Sequence, residues 1–244
     1  APGDGLQTAA SVSPSAVGTT SAPAPPAATS TGPTRTRTTA ATAPTGEVAA
    51  PAPSVCALPA GDQQIPVAPP PAVWRLVGSV AVPMSDTVGP GLVDEHGVGD
   101  CFAHSPTGAL FAAVGSLAAL NLPVDQVDPV AVIHHRVAPV GDIYPAMVSQ
   151  AAAATATDSR MPSEPGATTK VAVLGFTVTD YTAERAVLGI ALGVGDPARA
   201  TSYRQVLMPL VMAWYDGDWK LVYTDAMARP QPVTSADQYI GWAP

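Results

Sequence analysis

The sequence predicts an α+β domain in which helices pack on one side of a curved antiparallel sheet, preceded by a long segment that does not fold. All Phe, Trp and Tyr residues lie at or after Trp74, whereas half of the 28 prolines fall within the first 71 residues. Apolar residues then recur with helical spacing as far as residue 156, and with strand spacing from about 168 to 224. Helices followed by runs of strands are typical of α+β domains.

Residues 1–53 are predicted to form a disordered tether. They consist mostly of Ala, Pro, Thr, Ser and Gly and include no aromatic residue. Ordering a chain costs roughly 1–2 kcal/mol per residue, and the burial of large apolar side chains is what offsets that cost. Residues 54–244 are therefore expected to form the single domain, which is long enough to bury its own core.

Charge and hydropathy exclude several classes of function. The formal net charge is -8, and Lys and Arg form no basic stripe. A nucleic-acid groove needs such clustered charge to displace counterions from phosphate, so we expect no direct contact with DNA or RNA. No apolar run reaches the roughly 18 residues of a bilayer span, so membrane attachment is expected only through a segment before Ala1. A start other than Met and the Pro/Thr/Ala-rich segment favour an exported, extracytoplasmic protein.

The two cysteines are Cys56 and Cys101. Two cysteines in an exported chain most simply form one disulfide. The bridge would stabilise the fold by roughly 4 kcal/mol in the chain-entropy model. It would also hold the end of the tether on the domain.

Helix-start signals are clear at two places. Ser105 can cap a helix whose first position is Pro106, and Asp128 with Pro129 repeats the pattern. The predicted helices cover residues 106–120, 128–138 and 143–156. The apolar stripe of the first helix consists of Leu110, Phe111, Val114, Leu117, Ala118 and Leu120. Before these helices, residues 74–82 are predicted to form one short strand and residues 83–100 a loop.

Strand spacing follows the helices. One face is predicted to carry Ala172, Leu174, Phe176, Val178, Leu188, Ile190, Leu192, Val194, Val206, Met208, Leu210, Met212 and Trp214. Asp216-Gly217 is a favoured two-residue hairpin turn, which pairs Trp214 with Trp219, Met212 with Leu221 and Leu210 with Tyr223. Trp214, Trp219, Met212 and Leu221, together with Phe111, are the predicted core. Pro209 predicts a bulge or a local break in pairing.

Cys101 is also a candidate nucleophile, since it precedes a helix N-terminus. That hypothesis is a cysteine-dependent cell-wall hydrolase similar to the NlpC peptidases, with His104, His134 or His135 as base. Phe102 and Ala103 replace the Ser-Gly that usually follows such a cysteine, and every histidine precedes the sheet. The sequence therefore favours the disulfide, and no catalytic residue is assigned.

A metal site is not predicted either. The candidate ligands are Asp94, Glu95, His96, Asp100, Cys101 and His104. Their spacing fits no structural zinc pattern, and the Gly-rich context indicates a solvated acidic turn. The adjacent His134 and His135 cannot both face a core, so one is expected to be exposed and the other packed or hydrogen-bonded. No cofactor is expected.

Three segments resemble exported proteins carried by actinobacterial integrative and conjugative elements, a likeness that covers roughly residues 55–244. They are FAHSPTGALFAAVGSLAAL (102–120), MPLVMAWYDGDWKLV (208–222) and VTSADQYIGWAP (233–244). Those proteins are similar to the nuclear transport factor 2-like superfamily, which also contains scaffold domains of type IV secretion systems. The resemblance implies a cystatin-like cone of helices on a curved sheet.

The resemblance further implies a non-enzymatic scaffold or assembly component of a conjugative DNA-transfer apparatus. Its partners would be protein components of an envelope-spanning assembly or further copies of the chain. Because the predicted inward sheet positions are all apolar, an active site within the cone is not expected. The alternatives are the hydrolase using Cys101 and a small-ligand-binding or isomerase-type domain, which a sizeable pocket with a buried acid would favour.

Overall fold

The structure, a computed structural model, describes residues 51–123, 126–156, 171–196, 198–199 and 203–244. Within these ranges the first strands are β1 (Val73–Val77), β2 (Val80–Met84), β3 (Leu92–Val93) and β4 (Gly99–Asp100). The helices are α1 (Pro106–Leu120), α2 (Pro129–Arg136) and α3 (Ile143–Ala156). They are followed by β5 (Val171–Tyr181), β6 (Arg185–Val194), β7 (Arg204–Tyr215), β8 (Asp218–Val222), β9 (Gln231–Pro232), a 3₁₀ helix (Ala236–Gln238) and β10 (Ile240–Gly241). The α+β class is confirmed, whereas the tether predicted for residues 1–53 lies almost wholly outside the described residues.

The helices begin where the capping signals place them. The Ser105 hydroxyl accepts a hydrogen bond from the amide of Gly108 at 3.0 Å, and the Asp128 carboxylate accepts one from Val130 at 2.9 Å. Each cap satisfies an amide that the first helical turn leaves without an intrahelical partner. Gly108 is also required for packing, because a Cβ there would overlap the backbone of Ala103.

The main sheet is antiparallel, with strand order β10-β5-β6-β7-β8, and β9 pairs with the same edge of β7 as β8 does. On that edge β9 pairs with Val206 and Leu207, and the β8 pairing starts at Val211. Pro209 lies in the gap between them, where β7 needs no amide donor. The local break in pairing predicted from Pro209 is therefore present, while its pairing with Gly189 of β6 is regular.

The β7–β8 hairpin has the predicted register. Trp214 pairs with Trp219 and Met212 with Leu221, across a turn in which Asp216 and Gly217 both have positive φ. The predicted Leu210–Tyr223 pair does not form, because β8 ends at Val222. Just before that end, the carbonyl oxygen of Leu221 accepts a hydrogen bond from Ala138, so the chain after α2 runs beside β8.

The predicted inward face of β5 is wrong at its start. Val173 is buried, whereas Ala172 is exposed and Leu174 is half-buried. The pairing with β6 shifts between Val173 and Gly175 and again between Val178 and Asp180. Each irregularity adds a residue to one strand and so reverses which alternate positions face the helices.

Residues 74–82 were predicted to be one strand, but they lie in the hairpin of β1 and β2. Gly78, at φ +57°, lies in the turn between the two strands. The alternating pattern continues through that turn, so a periodicity of two did not distinguish one strand from a hairpin. The predicted loop 83–100 likewise contains the end of β2 and the short pair β3–β4.

Helix α1 forms the centre of the core. Nearly every residue of it is buried, because the main sheet, β2 and α2 all contact it. A helix that is apolar on all sides is stable only when it is enclosed in this way. Four predicted core residues, Phe111, Met212, Trp219 and Leu221, are fully buried. Trp242 closes the far end of the core and packs on Trp74, Phe111 and Phe176.

Among the described residues, none of the helices combines the length and hydropathy that crossing a bilayer requires.

Candidate functional site

The predicted disulfide between Cys56 and Cys101 is present, with the two Cα atoms 5.8 Å apart. Both cysteines of the chain are used in it, so this form of the protein has no thiol nucleophile. Cys101 is almost fully buried, and it has a left-handed backbone conformation with φ +68°. A hydrolase using Cys101 would require reduction of this bridge.

The segment before the bridge lies on the tip of the β7–β8 hairpin. The amide of Val55 donates to the carbonyl oxygen of Gly217 at 2.9 Å. Ser54 is buried, and its hydroxyl accepts a hydrogen bond from the amide of Leu58 at 3.1 Å. Residues 51–63, which we call the docked segment, are therefore joined to the domain by backbone contacts as well as by the disulfide.

Gln63 fastens the other end of the docked segment. Its side-chain amide donates to the carbonyl oxygen of His104 at 2.9 Å, and its carbonyl oxygen accepts from the hydroxyl of Tyr181 at 2.9 Å. Burial, with a smaller contribution from the negative charge of Glu184, raises the pKa of Tyr181 to about 12. Tyr181 therefore remains a neutral donor well above neutral pH.

His104 lies beneath the docked segment and is 5% exposed. Its ring stacks on the indole of Trp214, with a centroid distance of 3.7 Å and an interplanar angle of 3°. Its Nδ1 lies 2.9 Å from the carbonyl oxygen of Ala52, and its Nε2 contacts the carbonyl oxygen of Ala183. Both ring nitrogens are thus occupied by backbone, and His104 is not placed as a general base for another side chain. Trp214, predicted as core, is only half-buried and forms the platform under this ring.

A buried ion network lies next to this junction. The guanidinium of Arg136 is fully buried and lies 2.5 Å from a carboxylate oxygen of Asp100 and 3.6 Å from one of Asp218. It also donates to the hydroxyl of Ser116 and to the carbonyl oxygen of Trp219. Arg136 therefore links α2 to α1, to the start of β8 and to the segment that precedes Cys101.

Neither Arg136 nor Asp218 was predicted from the sequence to be a buried or functional residue. Arg136 lies four residues after Val132 and so shares the inward face of α2, a spacing that could have indicated its burial. No comparable signal marks Asp218. It follows the hairpin turn in a run of acidic and glycine residues that is typical of a solvated loop.

The remaining histidines, His96, His134 and His135, each contact a different polar side chain. His134 Nδ1 lies 2.7 Å from the hydroxyl of Tyr144, and His135 Nδ1 lies 3.8 Å from Asp100; both histidines are exposed. Exposed His96 pairs with Glu95 at 3.6 Å, while the Asp94 carboxylate accepts backbone amides of its own turn. In the part of the chain that the structure describes, no three acidic, His or Cys side chains are arranged to hold a metal ion.

A cavity of about 870 Å³ opens between the end of α1, the β1–β2 turn and the ends of β5 and β6. Its aliphatic walls include Val114, Leu117, Val173, Leu192, Val194 and Met208. Ser79, Asn121 and Gln126 provide uncharged polar groups. The described lining residues include neither a carboxylate nor a histidine, so this arrangement is suited to holding an apolar molecule.

The comparisons with known proteins give a family. Residues 34–244 match a family described as a domain of unknown function, DUF8175. No curated protein and no solved structure shows significant similarity to the chain.

Proposed function

The chain belongs to DUF8175, a family described as a domain of unknown function, and we propose that it is a non-enzymatic scaffold. In this proposal it is an extracytoplasmic assembly component of a conjugative DNA-transfer apparatus similar to type IV secretion systems. Its partners are protein components of that assembly or further copies of the chain. In this role it does not contact nucleic acid directly.

The observation that carries the proposal is the way residues 51–63 are fastened. The Cys56–Cys101 bridge and the bond from Val55 to Gly217 lie where the predicted tether would reach the domain. A force that pulls on the tether would therefore reach the domain through the disulfide as well as through the backbone. Disulfides persist in oxidising compartments, which supports an extracytoplasmic location.

The use of the buried polar side chains also supports a scaffold. In the described residues these side chains are Ser54, His104, Ser105, Ser116, Arg136 and Asp218. Each of them hydrogen-bonds to backbone or to another member of the set. These hydrogen bonds join the helices, the hairpin and the docked segment to one another, as is typical of structural polar networks.

We further propose that the domain is a cone of the nuclear transport factor 2-like type. Three helices precede the main sheet in the chain, and α1 packs along its inner face. The irregular pairing of β5 with β6 supports a curved sheet, since a bulge bends its strand and increases the local twist.

Conjugative transfer tests the scaffold function. With any upstream anchor retained, deletion of residues 1–53 should strongly reduce transfer, because the extended tether spans roughly 3.3–3.6 Å per residue. A Gly/Ser replacement of equal length should restore transfer, since reach and not sequence is required. A variant with His104, His134 and His135 all changed to Gln should still transfer if it folds. Loss of transfer in that folded variant, beside full activity of the deletion, would identify the domain as an enzyme.

The cavity favours a second candidate function, the binding of a small apolar ligand. Its described walls are aliphatic and the polar groups among them are uncharged, which suits a neutral molecule with a hydrocarbon body better than proton-transfer chemistry. The neutral dye N-phenyl-1-naphthylamine should bind with a saturable gain in fluorescence. Met208→Trp, which places a bulkier side chain in the cavity wall, should reduce this gain. Val211→Trp lies on the same strand outside the cavity and should leave it unchanged. Fluorescence that does not saturate, or that both variants affect equally, would contradict this function.

A further inference from the structure

His104 faces two hydrogen-bond acceptors. Its Nδ1 lies 2.9 Å from the carbonyl oxygen of Ala52, and its Nε2 contacts the carbonyl oxygen of Ala183. A carbonyl oxygen can only accept, and a neutral imidazole carries only one N–H. Only the doubly protonated imidazolium can donate to both oxygens. The geometry therefore selects the charged ring although the side chain is buried.

The neighbouring aromatic side chains also favour the positively charged imidazolium of His104. The indole face of Trp214 stacks on His104 at 3.7 Å, and Trp219 lies with its ring edge-on at 5.7 Å. A cation over an indole face is attracted by the quadrupole of the ring. Two carbonyl dipoles in the ring plane and one π face thus surround the imidazolium.

The described titratable or charged side chains on the elements around His104 are Asp62, Asp100, Asp180, Tyr181, Glu184, Arg185, Arg204, Tyr215, Asp216, Asp218 and Lys220. The buried carboxylate among them, Asp218, is occupied by the amides of Cys101 and Phe102 and by Arg136. Tyr181 stays protonated throughout the range in which a histidine titrates. Neither of these two groups therefore competes with the carbonyl oxygens of Ala52 and Ala183 for the ring nitrogens of His104.

We propose that protonation of His104 is a pH-dependent latch on the start of the docked segment. The disulfide holds Cys56 at any pH, whereas Ala52 is held by the imidazolium and Val55 by Gly217. When the ring loses one proton, a nitrogen lone pair faces a carbonyl oxygen and one contact becomes repulsive. Backbone hydrogen bonds between Thr182 and Arg185 close the turn that contains Ala183, so the contact that is lost is the one to Ala52. At acidic pH the chain is fastened from Ala52 onward; at higher pH the backbone bonds of Ser54 and Val55 become the outermost fastenings and open more often. The latch does not depend on the scaffold function.

Side-chain NMR of the full chain with its disulfide intact tests the charge state. Long-range ¹H–¹⁵N spectra at acidic pH should show two protonated nitrogens for His104. In parallel, exchange of the Val55 amide, corrected for its intrinsic pH dependence, should accelerate as the ring loses its proton. One linked proton allows at most about a tenfold increase in opening per pH unit.

His104→Gln should make the corrected exchange of Val55 independent of pH, while the exposed control His134→Gln should keep the wild-type profile. If His104→Gln does not fold, the wild-type spectra decide. A ring with a single protonated nitrogen from pH 5 to 8, or corrected exchange that does not change over this range, would overturn the latch.

Discussion

The carboxylate of Asp218 accepts a hydrogen bond from the backbone amide of Cys101 at 2.9 Å. Asp218 is the first residue of β8, and it also accepts from the amides of Phe102 and Trp219. Cys101 has φ +68°, a conformation that a residue with a side chain rarely adopts. One carboxylate thus holds the disulfide-bearing turn on the hairpin, so the disulfide, the entry to α1 and the sheet form one connected unit.

Removal of that carboxylate should be strongly destabilising. Asp218→Ala leaves three amides without an acceptor and takes one carboxylate from the fully buried Arg136. We expect the free energy of unfolding to fall by about 3–5 kcal/mol, as for other broken buried ion pairs. Urea denaturation measures it. The control Asp180→Ala breaks an exposed pair with Arg185 and should cost less than about 1 kcal/mol; equal losses would contradict the structural role of Asp218.

The two tryptophans of the hairpin should differ in their effect on stability. Trp219 is fully buried and donates its indole N–H to the carbonyl oxygen of Ala103 at 3.0 Å, whereas Trp214 is half-buried. Trp219→Ala should therefore cost about 3–5 kcal/mol and Trp214→Ala less. Because the rings contact each other edge to face at 5.3 Å, the two losses should not be additive. A double-mutant cycle measures both, and a larger loss from Trp214→Ala would refute this ranking.

Loss of the disulfide should destabilise the domain without changing its fold. The bridge joins residues 45 positions apart. Chain entropy predicts a loss of up to about 4 kcal/mol in the double variant Cys56→Ala, Cys101→Ala. Thermal denaturation should show the lower melting temperature, and reduction of the wild type should lower it in the same way. Thiol labelling of the unreduced, denatured protein should find no free cysteine; two labelled thiols would revive the hydrolase hypothesis.

Tyr181 should make stability depend on alkaline pH. Its pKa is raised to about 12, so the folded protein binds this proton more tightly than the unfolded chain does. The contribution is therefore complete below the unfolded pKa of about 10 and is lost as pH rises through 12. Comparison of the wild type with Tyr181→Phe should show a stability difference that shrinks over this window. A difference that stays constant from pH 9 to 12 would be inconsistent with it.

Elements that depend on local chemistry were predicted well. Ser105 with Pro106 and Asp128 with Pro129 mark the true starts of α1 and α2, because a cap and a proline act on the first helical turn alone. The Asp216-Gly217 turn determines the register of Trp214 with Trp219 for the same reason. The single cysteine pair likewise left only one intramolecular disulfide to predict.

Elements that depend on a partner strand were predicted less well. The inward face of β5 reverses near Leu174 because its pairing with β6 shifts there. Gly175 lies at this shift, and a glycine within a strand is compatible with a bulge without determining one. The hairpin of β1 and β2 was predicted as one strand, since alternation continues through Gly78. Pairing is a relationship between two segments, and its irregularities follow from how both pack on α1.

The sequence by itself determined the class of the domain, the helix starts, the β7–β8 register and the Cys56–Cys101 pair. Each of these follows from residues close together in the chain or, for the disulfide, from the presence of only two cysteines. Only the tertiary structure decided that His104 lies between two carbonyl oxygens and that Asp218 supports Cys101. Those contacts join segments about 50 to over 100 residues apart. These partners determine whether a charged side chain can be buried. An unpaired charge removed from water is costly in free energy, whereas a fully hydrogen-bonded one is tolerated.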